Sequence, residues 1–331
     1  MERSAHSILA TRKWSRIGLW SAAAFLLIMF IIGFWVSREP DVFWVNRSAD
    51  PESHVVGYST ADTLIRVAET LLEKPGGYLT NDKLPPMIIL DNIPSWELGV
   101  INQLRDLGRV MRDDYTRSQS QSKEDDDVAE GAPQFFYNND SWIFPTTESV
   151  YQEGIDSFTA YRDRLIAGDP DTQFYARADN LREWLSQVEK RLGSLTRRLG
   201  NSVAANRIND DLAGDSSAEA AGSQPDTFNV RTSWFQTDNI FFEARGTAWA
   251  LVHFFRAAEF DFIAVLEDKN AEVSVRQIIR ELEASLDPLR SPIILNGGGY
   301  GLFANHSLVM ANYLARANAA VINLRELLDQ G

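Results

Sequence analysis

The apolar positions of this chain fall into one unbroken run and a series of interrupted ones. The unbroken run is Ile17–Val36, IGLWSAAAFLLIMFIIGFWV, twenty residues without a charge. At helical rise it covers about 30 Å, the thickness of a bilayer's hydrocarbon core. The interrupted runs repeat near helical spacing. They predict helices over Ala61–Leu72, Ser95 to about Arg117, Val150–Ala167, Phe174–Leu199, Asn239 to about Asp268, Ser274–Leu286 and Ser307–Leu328. Proline or glycine closes several of them, at Pro75-Gly76-Gly77, Gly168-Asp169-Pro170 and Pro288. Leu181, Leu185, Val188, Leu192, Leu195 and Leu199 form one stripe; Met310, Leu314, Ala317, Val321, Leu324 and Leu328 form another. Only Met87–Leu90 and Ile293–Leu295 are short strand candidates. The pattern predicts an all-α protein: one N-terminal transmembrane helix followed by a bundle of about seven helices.

The flanks of the apolar run orient it. Trp14 and Trp20 stand at one end and Trp35 at the other, as rings that settle at headgroup level do. Arg12, Lys13 and Arg16 precede the run, whereas Arg38, Glu39 and Asp41 follow it. Basic residues stay on the cytoplasmic side. The expected organisation is therefore a cytoplasmic tail over 1–16, a span over 17–36, a polar tether over 37–60 and a helical domain over 61–331. A cleaved signal peptide is the rival. Its apolar region is roughly 7–15 residues long and ends at a small-x-small site. Here the run closes on Phe34-Trp35-Val36, so the segment is expected to stay attached.

Charge and composition narrow the function classes. Removing Arg3, Arg12, Lys13, Arg16 and Glu2 from totals of 32 basic and 46 acidic residues leaves 28 against 45, a net charge of −17. So acidic a body repels phosphate backbones, which excludes nucleic acid as a partner. There is no cysteine, and His6, His54, His253 and His306 show no helix-turn spacing; no metal and no cofactor are expected. Ser118–Gln134 reads as a solvated loop, since the adjacent Asp125, Asp126 and Asp127 do not alternate as calcium ligands do. Asn209–Asp226 has almost no bulky apolar residue and reads as disordered.

Two places could hold chemistry. The apolar helix EARGTAWALVHFFRAAEFDFIAVLED, expected at the bundle centre, carries Glu243, Arg245, His253, Arg256, Glu259 and Asp261. Buried charges must be paired, so these are either internal salt bridges with a core histidine or a polar pocket. Arg256 and Glu259, three apart, can meet on one face. The second place is a loop surface with Asp91, Trp96, Glu97, Asn305 and His306, built by PPMIILDNIPSWELG and SPIILNGGGYGLFANHSL. No Gly-Lys-Ser/Thr follows the glycines, so a phosphate loop is not indicated. Each segment joins a short helix to a long one through an aliphatic triplet. That similarity suggests an internal duplication, with both triplets facing inward and with Asp91 or Asn92, and Asn305, capping the helices that follow.

The stretches SREPDVFWV, GYLTND, LDNIPSWELG, YTRSQSQSKED, SWIFPTTES, QFYARADNLREWL, EARGTAWAL and FANHSLVMANYLARANAAVINLRELL run from the apolar segment to the C-terminus. They resemble an uncharacterised bacterial family, domain of unknown function 2333. The resemblance implies a Gram-negative inner-membrane protein of this length and carries over no catalytic residue; with the basic flank cytoplasmic, the body is then expected in the periplasm. The functional expectation is a non-enzymatic, membrane-anchored envelope scaffold or binding protein. Its expected partners are the membrane and other envelope proteins, with a homo-oligomer as an open alternative. The rival readings are an envelope hydrolase using carboxylates of the central helix or beside Trp96 and Glu97, and a carrier of a small apolar or lipid ligand.

Overall fold

A computed structural model describes residues 2–48, 55–117, 123–202, 205–208, 227–230, 232–289, 291, 293–297 and 302–330. The apolar run lies in α1, Glu2–Val36, which already includes the residues expected as a tail. Its stretch Arg16–Val36 has a mean hydropathy of 2.4 and is almost wholly exposed, long and apolar enough to cross a membrane. The body follows as α2 (Tyr58–Glu73), a 3-10 turn (Met87–Ile89), α3 (Asn92–Val110) and a π turn (Met111–Tyr115). Then come α4 (Asp126–Gln134), α5 (Thr147–Ala167), α6 (Ala178–Gly200) and an antiparallel hairpin of β1 (Ala205–Ile208) and β2 (Thr227–Val230). The chain closes with α7 (Trp234–Asp261), α8 (Ile263–Asp268), α9 (Glu272–Ser285) and α10 (His306–Asp329). The expected all-α body is observed, with one small hairpin added.

Helix α7 runs through the centre, against α2, α3, α6, α9 and α10. Small residues permit this. A side chain at Gly246 would meet the Trp96 carbonyl oxygen at 2.0 Å, and one at Gly99 would meet the Glu243 carbonyl oxygen at 2.2 Å. The α3 and α7 backbones therefore touch through reciprocal glycines. Beside the crossing Trp96 and Trp249 are buried against each other, and farther along α7 Phe255 packs on Trp184 of α6, which removes large apolar surfaces from water. α10 lies between α6 and α9, and α5 joins α2 to α4. Both predicted stripes, on α6 and on α10, are buried along their whole length.

Several expectations change. Asp125 opens α4, accepting from the backbone N–H of Asp127 and Val128, so the acidic run is a helix start, not a loop. Its next two acids favour the positive end of the helix dipole. The long helix expected over 239–268 breaks at Phe262, directly after Asp261, the last residue of α7, whose side chain serves α2. Its carboxylate accepts from Gly57 N at 2.9 Å, Thr60 N at 2.7 Å and Thr60 Oγ1 at 2.6 Å, capping a helix whose own N-cap residue is a glycine with φ 94°. Met87–Leu90 is a turn rather than a strand, and Ile293–Leu295 leads only to an isolated bridge between Asn296 and Asn305. The duplication required both aliphatic triplets inside. Ile88 is 55% and Ile89 75% exposed, as is much of Ile293, while Ile294 is buried; the two segments serve different ends. The 209–226 segment lies outside the described residues.

The glycine crossing sets a test. Gly246→Ala should lower the unfolding free energy by about 2 kcal/mol or more, since backbone must move. Gly200→Ala, with open space around it, should leave stability nearly unchanged. Urea unfolding of the two variants beside the parent chain measures both.

Candidate functional site

Arg245, Trp249, His253 and Arg256 are spaced by four, four and three residues, so they share one face of α7. Facing them is the segment after α1, expected to be a polar, irregular tether. It runs extended along α7 instead. Arg245 Nε donates to both Glu39 carboxylate oxygens at 2.8 and 2.9 Å. Trp249 Nε1 donates to Asp41 O at 3.3 Å, Phe43 N donates to His253 Nε2 at 3.0 Å, and Arg256 Nη1 donates to Phe43 O at 3.2 Å. Positions 39, 41 and 43 alternate, as one side of an extended chain does. Eleven residues of helix advance about 16 Å and four of strand about 13 Å, so the two repeats stay matched along the seam.

The seam is also packed. The Phe43 ring stacks on His253 at 3.8 Å between centroids and meets Trp249 edge-on. From α2, Arg66 covers the other side of Phe43 at 4.2 Å and donates to Trp44 O at 2.7 Å. Arg245 further donates to the carbonyls of Ser285, Leu286 and Asp287, which end α9 and lack helical partners. One guanidinium thus ties the post-α1 segment, α7 and α9 together.

His253 is neutral by construction. Its Nδ1 lies 2.7 Å from the Trp249 carbonyl, an acceptor only, so Nδ1 carries the proton and Nε2 is left to accept from Phe43. Burial pushes its pKa down to about 3, the Trp249 hydrogen bond opposes this, and Arg256 and Arg66 add to the lowering.

The other candidates do not join this face. Glu243 points to the opposite side of α7 and pairs with both terminal nitrogens of Arg198 at 2.8 and 2.6 Å. It lines a cleft of about 260 Å³ with the Arg191–Asp106 pair. Glu259 pairs with Arg276 at 3.0 Å, and Arg256 with Glu283 at 2.6 Å, not with each other. No cleft described collects Glu243, His253 and Glu259.

The expected loop surface dissolves as well. Trp96 and Glu97 are wholly buried. Glu97 accepts from Leu79 N and Thr80 N, both at 2.8 Å, and pairs with buried Lys74 at 2.5 Å, fastening the loop between α2 and α3. Asn305 caps α10 as expected, accepting from Leu308 N at 2.9 Å. His306 Nδ1 accepts from Leu295 N, holding the turn before α10. Asp91 occupies the N-cap position of α3 without a side-chain cap and is exposed. Among the described residues no group of three or more His, Asp or Glu could hold a metal ion.

The residues the sequence reading missed are Glu39, Asp41 and Phe43. The signal was present: Phe-Trp-Val in a polar tether, opposite a four-four-three row of hydrogen-bonding side chains on a helix read as central.

Two measurements probe the seam. Arg245→Leu should cost about 3–5 kcal/mol of stability, since Glu39 and three α9 carbonyls lose their partner. His253→Phe should cost about 1–3 kcal/mol at pH 7, leaving Phe43 N without an acceptor. The unfolded histidine titrates near 6.5 and the folded one near 3. The unfolded state therefore binds more protons in that window, and the parent's advantage is complete above pH 6.5. It should shrink by up to about 1.4 kcal/mol per pH unit as pH falls toward 3. Urea unfolding of parent and variant at several pH values reads the difference.

Compared with known proteins, the chain matches the family described as an uncharacterized protein conserved in bacteria (DUF2333) over residues 10–331, and it belongs to that family. No curated protein and no solved structure matches it.

Proposed function

We propose that this member of the DUF2333 family is a single-pass protein of the bacterial inner membrane, with its N-terminus in the cytoplasm and its helical body in the periplasm. In this reading the body is a rigidly mounted scaffold or binding module for other envelope components rather than an enzyme. The observation that carries it is the seam: Arg245, Trp249, His253 and Arg256, on one face of the central helix, are consumed in holding the segment that leaves α1. Arg245, Trp249, His253 and Arg256 each have a structural partner, which leaves them no unspent group for acid–base work.

The same region supports α1 as a permanent anchor. Val36, its last residue, is buried in the core, where a side chain at Gly76 would meet it at 2.8 Å. A segment removed by signal peptidase would take that core residue with it. The three basic residues close before the apolar run, Arg12, Lys13 and Arg16, against Arg38 after it, favour the orientation.

Topology and retention are read together. A reporter active only outside the cytoplasm, fused after Gln330, should be active, and the same reporter fused near Arg16 should be silent. Intact mass of the membrane-extracted protein should include α1. A shortened mass, or a silent C-terminal fusion in a stable protein, would sink the anchor reading. Crosslinking in cells should then capture a defined envelope protein on the body. Hydrolysis of an envelope polymer by the purified chain, abolished by Glu243→Gln, would overturn the non-enzymatic reading.

A further inference from the structure

Between Lys83 and Asp91 lies an uncharged stretch, Leu84–Leu90: Met87 and Leu90 pack against the core, while Leu84 is 72%, Ile88 55% and Ile89 75% exposed. Isolated exposed aliphatics are common, but this group has a defined place. A side chain at Gly33 would lie 3.8 Å from Pro86 Cβ and 3.9 Å from Leu90 Cδ2. An apolar cleft of about 410 Å³ between the two elements is lined by Met29, Phe30, Gly33, Phe34, Pro86 and Ile89, among others. Met29 stands seven residues before Val36, about 10 Å back along the helix. The turn therefore reaches beside the apolar run rather than stopping at its end.

Backbone groups decide whether such a turn can enter an apolar medium. Pro85 and Pro86 have no N–H. Ile88 N donates to Leu84 O at 3.1 Å, Ile89 N to Pro86 O at 3.0 Å and Leu90 N to Met87 O at 2.9 Å. Five of the seven residues thus offer no unpaired donor. The base of the loop is fixed: Glu97 holds Leu79 and Thr80, and Gly77 O accepts from Lys74. A neighbouring loop carries a second apolar tip, Trp142-Ile143-Phe144, all exposed. It hangs from the same base, through Asn81 Nδ2 to Ser141 O at 2.9 Å and Tyr78 Oη to Asn139 O at 2.9 Å.

We propose that Leu84–Leu90 is a second membrane contact, a wedge seated among the lipid acyl chains of the leaflet facing the body, alongside α1. It rests on the reading of α1 as a membrane span. The occupant is lipid because the turn is continuous with the lipid-facing surface of α1 at a depth of about 10 Å, within the range that interfacial segments reach. Trp142 and Phe144 suit the headgroup level beside it. The wedge fixes the rotation of the body about α1.

The chain lacks cysteine, which makes site-specific labelling direct. Ile89→Cys, Phe30→Cys and Val273→Cys, each in the full chain, are labelled with a polarity-sensitive fluorophore and reconstituted in phosphatidylethanolamine–phosphatidylglycerol nanodiscs. Lipids bearing a shallow acyl-chain quencher are then introduced. The Phe30 probe should be quenched, the exposed α9 probe at Val273 should not, and the Ile89 probe should lose about half its emission or more and be blue-shifted. If Phe30 is quenched while Ile89 stays bright and open to a water-soluble quencher, the wedge is overturned and the span stands. If Ile89 is shielded from both quenchers, a second copy covers the turn and the lipid assignment is wrong. An unquenched Phe30 probe overturns the span itself and the wedge with it.

Discussion

The contact between Arg245 and Glu39 is the one on which most of the remaining order depends. A guanidinium almost removed from water needs every donor used, and here it has the carboxylate and three carbonyls at the end of α9. Burying that charge costs several kcal/mol unless the geometry is complete. The post-α1 segment, α7 and α9 are therefore constrained jointly: none can shift without stranding the group. The neighbouring Trp249, His253 and Arg256 extend the constraint along the helix, each reaching the next part of the same extended segment.

Below this polar seam the packing is apolar and close. The reciprocal glycines of α3 and α7 bring the backbones into contact, and the buried rings of Trp96 and Trp249 pack against each other at 5.2 Å. Charges in the body follow a common rule. Asp261 caps α2, Glu97 holds the loop before α3, and Asp106 pairs with Arg191 across α3 and α6. Each of these three charges joins one element to another.

The helices with long one-sided stripes were legible because each faces neighbours along its whole length, as α6 and α10 do. The central place of α7 was legible from its apolar circumference. Helix α4 was not, because it is nine residues long and only Val128, Gly131 and Ala132 turn inward, too few to set a period. Its start signal, Asp125 followed by two acids, looks the same as a solvated run. The seam was hidden for another reason: Glu39 and Arg245 are 206 positions apart, and an extended segment with one polar partner per alternate residue shows no hydrophobic alternation. Trp96 and Glu97 sit at the start of a helix, which suggested surface, yet the loop from α2 folds over them. The proposed wedge was visible only as an aliphatic triplet. Sequence could not say which way it faced, since exposure and burial ask for the same residues when lipid is the solvent.

The direction of the post-α1 segment has a mechanical consequence. It runs parallel to α7, beginning at the end nearest α1, so tension drawing the chain at Ser37 along its own axis loads Glu39, Asp41 and Phe43 together, in shear. A peeling geometry would break such contacts one at a time and yield at low load. A body attached in shear carries a load on α1 directly into α7 and α9, and a load on the body back to α1.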